Sequence, residues 1–100
     1  MNGRGASRLT KRARSLVFDP SAFEDLTWWV DHDRKKALRI MRIIDTLCQE
    51  PFRGIGKPEP LQHDLSGMWS RRIDDEHRLV YRVLDESIRI LSCRFHYRDR

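Results

Sequence analysis

Between residues 33 and 49, apolar side chains return every three or four positions. Ala37, Ile40, Met41, Ile44, Leu47 and Cys48 form one stripe, which predicts an amphipathic helix capped by Asp33 and running to about Gln49. A shorter stripe precedes it, with Phe23, Leu26 and Val30 on one face and Trp29 beside them. Two starts compete for that first helix: Asp19 as cap with Pro20 at the first helical position, or a capping box over Ser21-Ala22-Phe23-Glu24. The run Ser15 to Asp19 (SLVFD) predicts a strand that stops at the Asp-Pro step. From Met68 the spacing changes. MWSRRID, HRLVYRVLD and SIRILSCRFHY are short runs rich in β-branched and aromatic residues, separated by acidic turns, and predict antiparallel strands. With Asp85-Glu86 as a two-residue turn, Tyr81 opposes Ile90, Val83 opposes Ile88 and Leu79 opposes Ser92 on a core face. Arg78, Val80, Arg82, Leu91, Cys93 and Phe95 then take the other face, and a one-residue slip would exchange the two sets.

Glu50 to Pro60 (EPFRGIGKPEP) holds three prolines and two glycines, which end the helix and predict an ordered loop. Gly54-Ile55-Gly56-Lys57 lacks the full spacing of a phosphate-binding loop, and Pro58 stands where a Ser or Thr is required. At the other end, residues 1–14 carry Arg4, Arg8, Lys11, Arg12 and Arg14 with no acid and almost no large apolar residue. That composition predicts a flexible basic leader ahead of a single domain over residues 15–100.

Charge changes the picture only once it is located. The net charge of +5 belongs to the leader; the remaining residues hold 15 basic and 15 acidic side chains. Net charge therefore gives no argument for nucleic-acid binding by the folded part, and the kind and place of each side chain must carry it. Of the ten basic residues after position 50, nine are arginines, which fork to phosphate oxygens better than lysines do. Lys35, Lys36, Arg39 and Arg42 lie largely off the stripe of the second helix and read as either a phosphate-facing ridge or a solvated face. No run approaches the ~20 apolar residues of a membrane span. The expectation is a cytoplasmic chain whose Cys48 and Cys93 remain thiols that serve packing.

RNA brings its own nucleophile, the 2′-hydroxyl, so cutting it without metal needs a base, an acid and positive charge near the phosphate. Candidates are Lys57, Glu59 and His63 around the loop, Arg71, Arg72, His77 and Arg78 in the strand region, and His96 and Tyr97 near the end. Taken as an inventory these are residues any charged chain contains. Their order says more: GKPEP (56–60), LSGMWSRR (65–72), DEHRLVY (75–81) and CRFHY (93–97) strongly resemble the YoeB/Txe branch of the RelE superfamily of bacterial toxins, over about residues 15–97.

The resemblance implies an α+β, RelE-like fold, with two N-terminal helices packed on a twisted antiparallel β-sheet. It implies a metal-independent, cofactor-free endoribonuclease toxin of a type II toxin-antitoxin system, which cleaves mRNA in the ribosomal A site and so inhibits translation. By motif, Glu59 is the general base, His96 the general acid, Arg78 the transition-state stabiliser and Tyr97 the substrate-positioning ring. Lys57 and Arg72 contact phosphate, with Arg71, His63 and His77 as further substrate-side residues; Arg71 and Arg82 are equally open to ion pairing with Asp74, Asp75 or Glu86. Trp28, Trp29 and Trp69 are read as core or dimer-face residues. Implied partners are a YefM/Axe-like antitoxin with an acidic, disordered C-terminal segment, the ribosome with its mRNA, and a second copy in a homodimer. Two other readings stay open: a ParE-like poison of a DNA enzyme, and a generic RNA-binding module acting through the leader and scattered arginines. Arg98-Asp99-Arg100, beyond the His-Tyr pair, is expected either to touch RNA or to hinder Tyr97.

Overall fold

A computed structural model describes residues 14–65 and 67–95. The expectations for the leader (residues 1–13), for His96 and Tyr97, and for Arg98-Asp99-Arg100 fall outside the described residues. Arg14, counted above with the leader, is bonded to the body: its Nε donates to the Leu84 carbonyl at 2.8 Å.

Strand β1 (Ser15–Phe18) leads into helix α1 (Pro20–His32) and helix α2 (Arg34–Gln49), followed by β2 (Glu59–Pro60), a 3-10 turn (His63–Leu65), β3 (Met68–Arg72), β4 (Arg78–Val83) and β5 (Ser87–Ser92). The strands form one sheet in the order β1-β5-β4-β3-β2. The later strands pair antiparallel as expected, but β1 joins β5 in parallel, so the sheet is mixed at that edge. The long crossover a parallel pair requires is supplied by everything between β1 and β5.

Helix α1 starts at Pro20. Asp19, however, caps nothing with its side chain, because its carboxylate receives Arg89 Nε at 2.7 Å. Nor does Ser21 form a capping box; its hydroxyl donates to the Leu91 carbonyl on β5. The buried side of α1 is Ala22, Asp25 and Trp29, with Leu26 half-buried, whereas Phe23 is 62% exposed and Val30 38% exposed. The expected Phe23/Val30 stripe is thus corrected. What turns the helix is polar: Asp25 accepts the Cys93 backbone N–H at 3.0 Å and Trp29 Nε1 donates to the Cys93 carbonyl at 2.7 Å. Two buried main-chain groups satisfied in this way outweigh the burial of a flanking apolar residue.

Asp33 closes α1 and opens α2, donating its backbone N–H to Trp29 O and accepting Lys36 N at 3.2 Å on its side chain. Ala37, Ile40, Ile43, Ile44 and Leu47 are the buried face of α2. Met41 is a correction, 46% exposed, while Ile43 takes a place in the core. The cationic side of α2 is divided. Lys36 pairs with Asp74 at 3.2 Å and Arg39 donates to the carbonyls of Ile73 and Arg72, while Lys35 and Arg42 face solvent. The core lies between the helices and one sheet face, with Ile40, Ile43 and Leu47 packed against Leu79, Tyr81 and Ile90.

Asp85-Glu86 is the turn centre, with Leu84 N bonded to Ser87 O, and Tyr81–Ile90 and Val83–Ile88 pair as expected. Ser92 is the exception, lying opposite Val80 and not Leu79. A β-bulge leaves Leu91 without a partner across the strand, and one extra residue reverses the facing of all that follow. Cys93, expected on the face with Arg78, is instead fully buried under α1.

Candidate functional site

Pleating sends alternate side chains to opposite faces, and directly paired residues share a face. Trp69, Arg71, Leu79 and Tyr81 look toward the helices. The other face, on which neither α1 nor α2 packs among the described residues, receives Glu59 opposite Ser70, Ser70 opposite Val80, Arg72 opposite Arg78, and Met68 opposite Arg82, with Ser70 and Val80 buried. Three of the expected residues, Glu59, Arg72 and Arg78, are therefore brought to one side of the sheet. With strands ~4.8 Å apart and ~3.4 Å of rise per residue, the Glu59 and Arg78 backbones stand about 12 Å apart, a span two side chains can close around one phosphate.

Glu59 and Arg72 are exposed and Arg78 is half-buried. Arg78 Nη1 donates to the carbonyls of Asp74 at 2.8 Å and His77 at 3.1 Å, which fixes the guanidinium over the β3–β4 turn. Its Nε and Nη2 make no hydrogen bond among the described residues. The turn is itself braced by Asp74, whose Oδ1 accepts the backbone N–H groups of Glu76 and His77 at 2.8 and 2.6 Å. Burial pushes the Asp74 carboxyl up, but those two N–H groups, Lys36 and the nearby His77 together hold it below its ordinary value.

The segment that leads to His96 and Tyr97 is held at each end. Besides the bonds of Cys93 to Asp25 and Trp29, Phe95 N–H donates to His77 Nδ1, and Phe95 O accepts Arg78 N at 3.1 Å. His77 also sets its ring edge-on against Trp29, centroids 4.8 Å apart. Its place is thus between α1 and the tail. Arg94 lies over the Trp28 ring at 3.8 Å, so Trp28 and Trp29 both serve this end of the sheet, while Trp69 meets Phe52. No hydrophobic stripe could have flagged Asp25 as an anchor, since its value comes from a main-chain group 68 residues away.

Lys57 and His63 are exposed and have positive φ, 50° and 59°, in the stretch around β2. No described contact joins His63 to Arg78. Arg71 departs from the expectation of substrate contact or ion pairing: it is fully buried, and its partners are the carbonyls of Glu50, Arg53 and Ile55 with the hydroxyls of Thr46 and Tyr81. The Tyr81 hydroxyl in turn donates a hydrogen bond to the Pro51 carbonyl at 2.7 Å. Burial pushes that phenol up, against the opposing effect of Arg71. Among the described residues there is no group of three or more metal-ligating side chains, and no helix is long and apolar enough to cross a membrane.

Two helices backing a five-stranded sheet is the arrangement of the small bacterial toxins of the RelE fold. Residues 18–97 match the family described as YoeB-like toxin of bacterial type II toxin-antitoxin system. The chain is 60% identical over 84 residues to Toxin YoeB of Mycobacterium bovis, covering 84% of this chain and 99% of that one. Among solved structures it is similar to the YoeB dimer from Staphylococcus aureus, with TM-score 0.78, 42% identity, and coverage of 85% of this chain and 99% of that one. It is also similar to the toxin in the heterotetrameric YoeB-YefM complex from Staphylococcus aureus, with TM-score 0.76, 42% identity, and coverage of 84% and 98%. The chain belongs to the YoeB family of type II toxins.

Proposed function

We propose that this toxin is a ribosome-dependent endoribonuclease that cuts mRNA in the A site without a metal, and that the helix-free sheet face is where it does so. The observation that carries this reading is the presence of Glu59, Arg72 and Arg78 on that one face. Glu59 takes the proton of the 2′-hydroxyl as its oxygen bonds to the adjacent phosphorus. The bond from phosphorus to the 5′-oxygen breaks, His96 protonates that oxygen, and the products are a 2′,3′-cyclic phosphate and a 5′-hydroxyl. Arg78 meets the charge that builds on the phosphorane, using the two nitrogens its turn contacts leave over. Lys57 and Arg72 hold flanking phosphates, and Tyr97 stacks on a base. His63 supports the loop side of the site.

Such chemistry belongs in the cytoplasm, where ribosomes are, and calls for a cognate antitoxin. The Staphylococcus aureus YoeB-YefM complex supports a partner of that kind. In this proposal an acidic, disordered C-terminal segment of the antitoxin lies over the arginine face, and its release frees that face. A second copy of the toxin is a further partner, in line with the Staphylococcus aureus YoeB dimer.

Cleavage of mRNA on programmed ribosomes, followed at single turnover, tests the reading. Glu59→Gln and His96→Gln are each expected to lose ~10²- to 10⁴-fold while still folding and binding antitoxin. Full cleavage by both variants overturns the assignment. A ParE-like poison of a DNA enzyme would instead arrest growth with no mRNA cut at all.

A further inference from the structure

We infer that Arg71 is a positioning residue: from inside the molecule it templates the loop that presents Lys57 and Glu59 to the substrate face. The inference rests on the reading of Glu59 as the base.

A guanidinium has five N–H donors, and here each has an acceptor. Nε donates to Tyr81 Oη at 3.2 Å; Nη1 donates to Thr46 Oγ1 at 3.3 Å and Ile55 O at 3.1 Å; Nη2 donates to Glu50 O at 2.7 Å and Arg53 O at 2.9 Å. None of these partners is a carboxylate. The buried charge is met by backbone carbonyl dipoles, and with Tyr81 bonded to Pro51 O, four carbonyls between residues 50 and 55 converge on the Arg71–Tyr81 pair.

The loop supplies little of this order itself, since it contains no helix or strand between Gln49 and Glu59. Its glycines show how closely it wraps the Arg71 side chain. Gly54 has φ +129°, and a Cβ there would lie 2.9 Å from Arg71 Nη1; Gly56 has φ +87°, and a Cβ there would lie 3.1 Å from Arg71 Cβ. The shape passes outward through Gly56, whose carbonyl accepts Arg72 N at 2.6 Å, directly before Lys57; two residues further on, Glu59 pairs with Ser70. Strand β3 thus works on both faces. Ser70 and Arg72 border the substrate side, while Arg71 between them sets the loop from the core side.

Lysine at this position keeps the charge but has three donors and no plane, so at least two of the five acceptors lose their partner. Arg71→Lys is expected to fold and bind antitoxin, yet to cleave at single turnover ~10²-fold more slowly, the scale of loss that a ~1 Å misplacement produces. Substrate affinity should change much less than rate. Tyr81→Phe, which removes one acceptor of Arg71 and the bond to Pro51, should show the same split at smaller size. Because Arg71 acts chiefly by placing Glu59, Arg71→Lys added to Glu59→Gln should slow cleavage far less than the ~10²-fold it costs alone, the small remainder coming from Lys57 on the same loop.

A folded Arg71→Lys with the wild-type cleavage rate, beside an inactive Glu59→Gln, overturns this inference and leaves the function standing. Multiplying losses in the double variant also overturn it, because Arg71 would then act independently of Glu59. Wild-type cleavage by Glu59→Gln overturns the base assignment and this inference with it.

Discussion

Arg78 and Phe95 are joined main chain to main chain, N–H to carbonyl at 3.1 Å, at the point where β4 begins and the tail toward His96 leaves the sheet. The residue proposed to meet the phosphorane is thus also the backbone anchor of the segment that carries the proposed acid. A side-chain substitution at 78 leaves this bond intact, because it belongs to the backbone. Effects of such substitutions therefore report on the guanidinium.

Arg78 and Arg82 both lie on the open face, but only Arg78 is paired with Arg72, whereas Arg82 sits between Met68 and Arg89, four residues further along β4. Arg78→Ala is expected to reduce single-turnover cleavage by ~10²- to 10³-fold, as the loss of a preorganised donor to transition-state charge does. Arg82→Ala should change it by less than ~10-fold, the modest effect of an interaction made equally before and during reaction. The reverse order would move the phosphate clamp to the middle of β4.

His77 acts on Phe95 through Nδ1 as acceptor, which puts a neutral ring's proton on Nε2. His77→Phe keeps a ring against Trp29 and deletes the acceptor; His77→Asn offers an oxygen near the place of Nδ1. The Phe variant is expected to lose about 1 kcal/mol of stability, to speed hydrogen exchange at the Phe95 amide, and to cleave more slowly than the Asn variant. Equal cleavage by the two would show that the bond to Phe95 has no part in activity.

The elements were legible where one period dominated. Helix α2 announced itself by its stripe, and the β4–β5 turn by two acids between β-branched runs. What the period could not reveal was polar and long-range. Asp25 and Trp29 turn α1 away from its Phe23 face to serve Cys93, and the Leu91 bulge reverses Ser92 and Cys93 without any Gly or Pro to mark it. Glu59, Arg72 and Arg78, which the motifs single out, share one face of the sheet, yet the neighbouring Arg71 and Arg72 of one WSRR motif face opposite sides. Adjacent residues on a strand cannot share a role on one face, so pleating separates what a motif presents as a pair.

Asp74 gives a pH signature to the turn beneath Arg78. Its pKa is lowered in the folded chain from an ordinary 3.8, so folding favours the ionised form. The stability it adds is fully present above pH ~3.8 and is lost as pH falls through the lowered folded value. Asp74→Asn should therefore melt below the wild type at neutral pH, and the two melting curves should converge in acid. A gap that persists at low pH would mean that the carboxylate charge is not what the turn uses.

Removing residues 1–13 separates electrostatic capture from catalysis. The deletion takes away Arg4, Arg8, Lys11 and Arg12 but keeps Arg14, whose Nε is bonded to Leu84. For every phosphate of single-stranded RNA that the leader would have neutralised, the slope of log affinity against log salt should flatten by about 0.7. The trimmed toxin is expected to bind free RNA more weakly, with a shallower salt dependence, and still to cut mRNA on the ribosome and arrest growth. That combination follows because Glu59, Arg72 and Arg78 all lie within residues 14–100, which hold 16 basic and 15 acidic side chains. If trimming abolished cleavage and growth arrest together, the basic leader and not the sheet face would hold the RNA, and the generic RNA-binding reading would take the place of the one proposed.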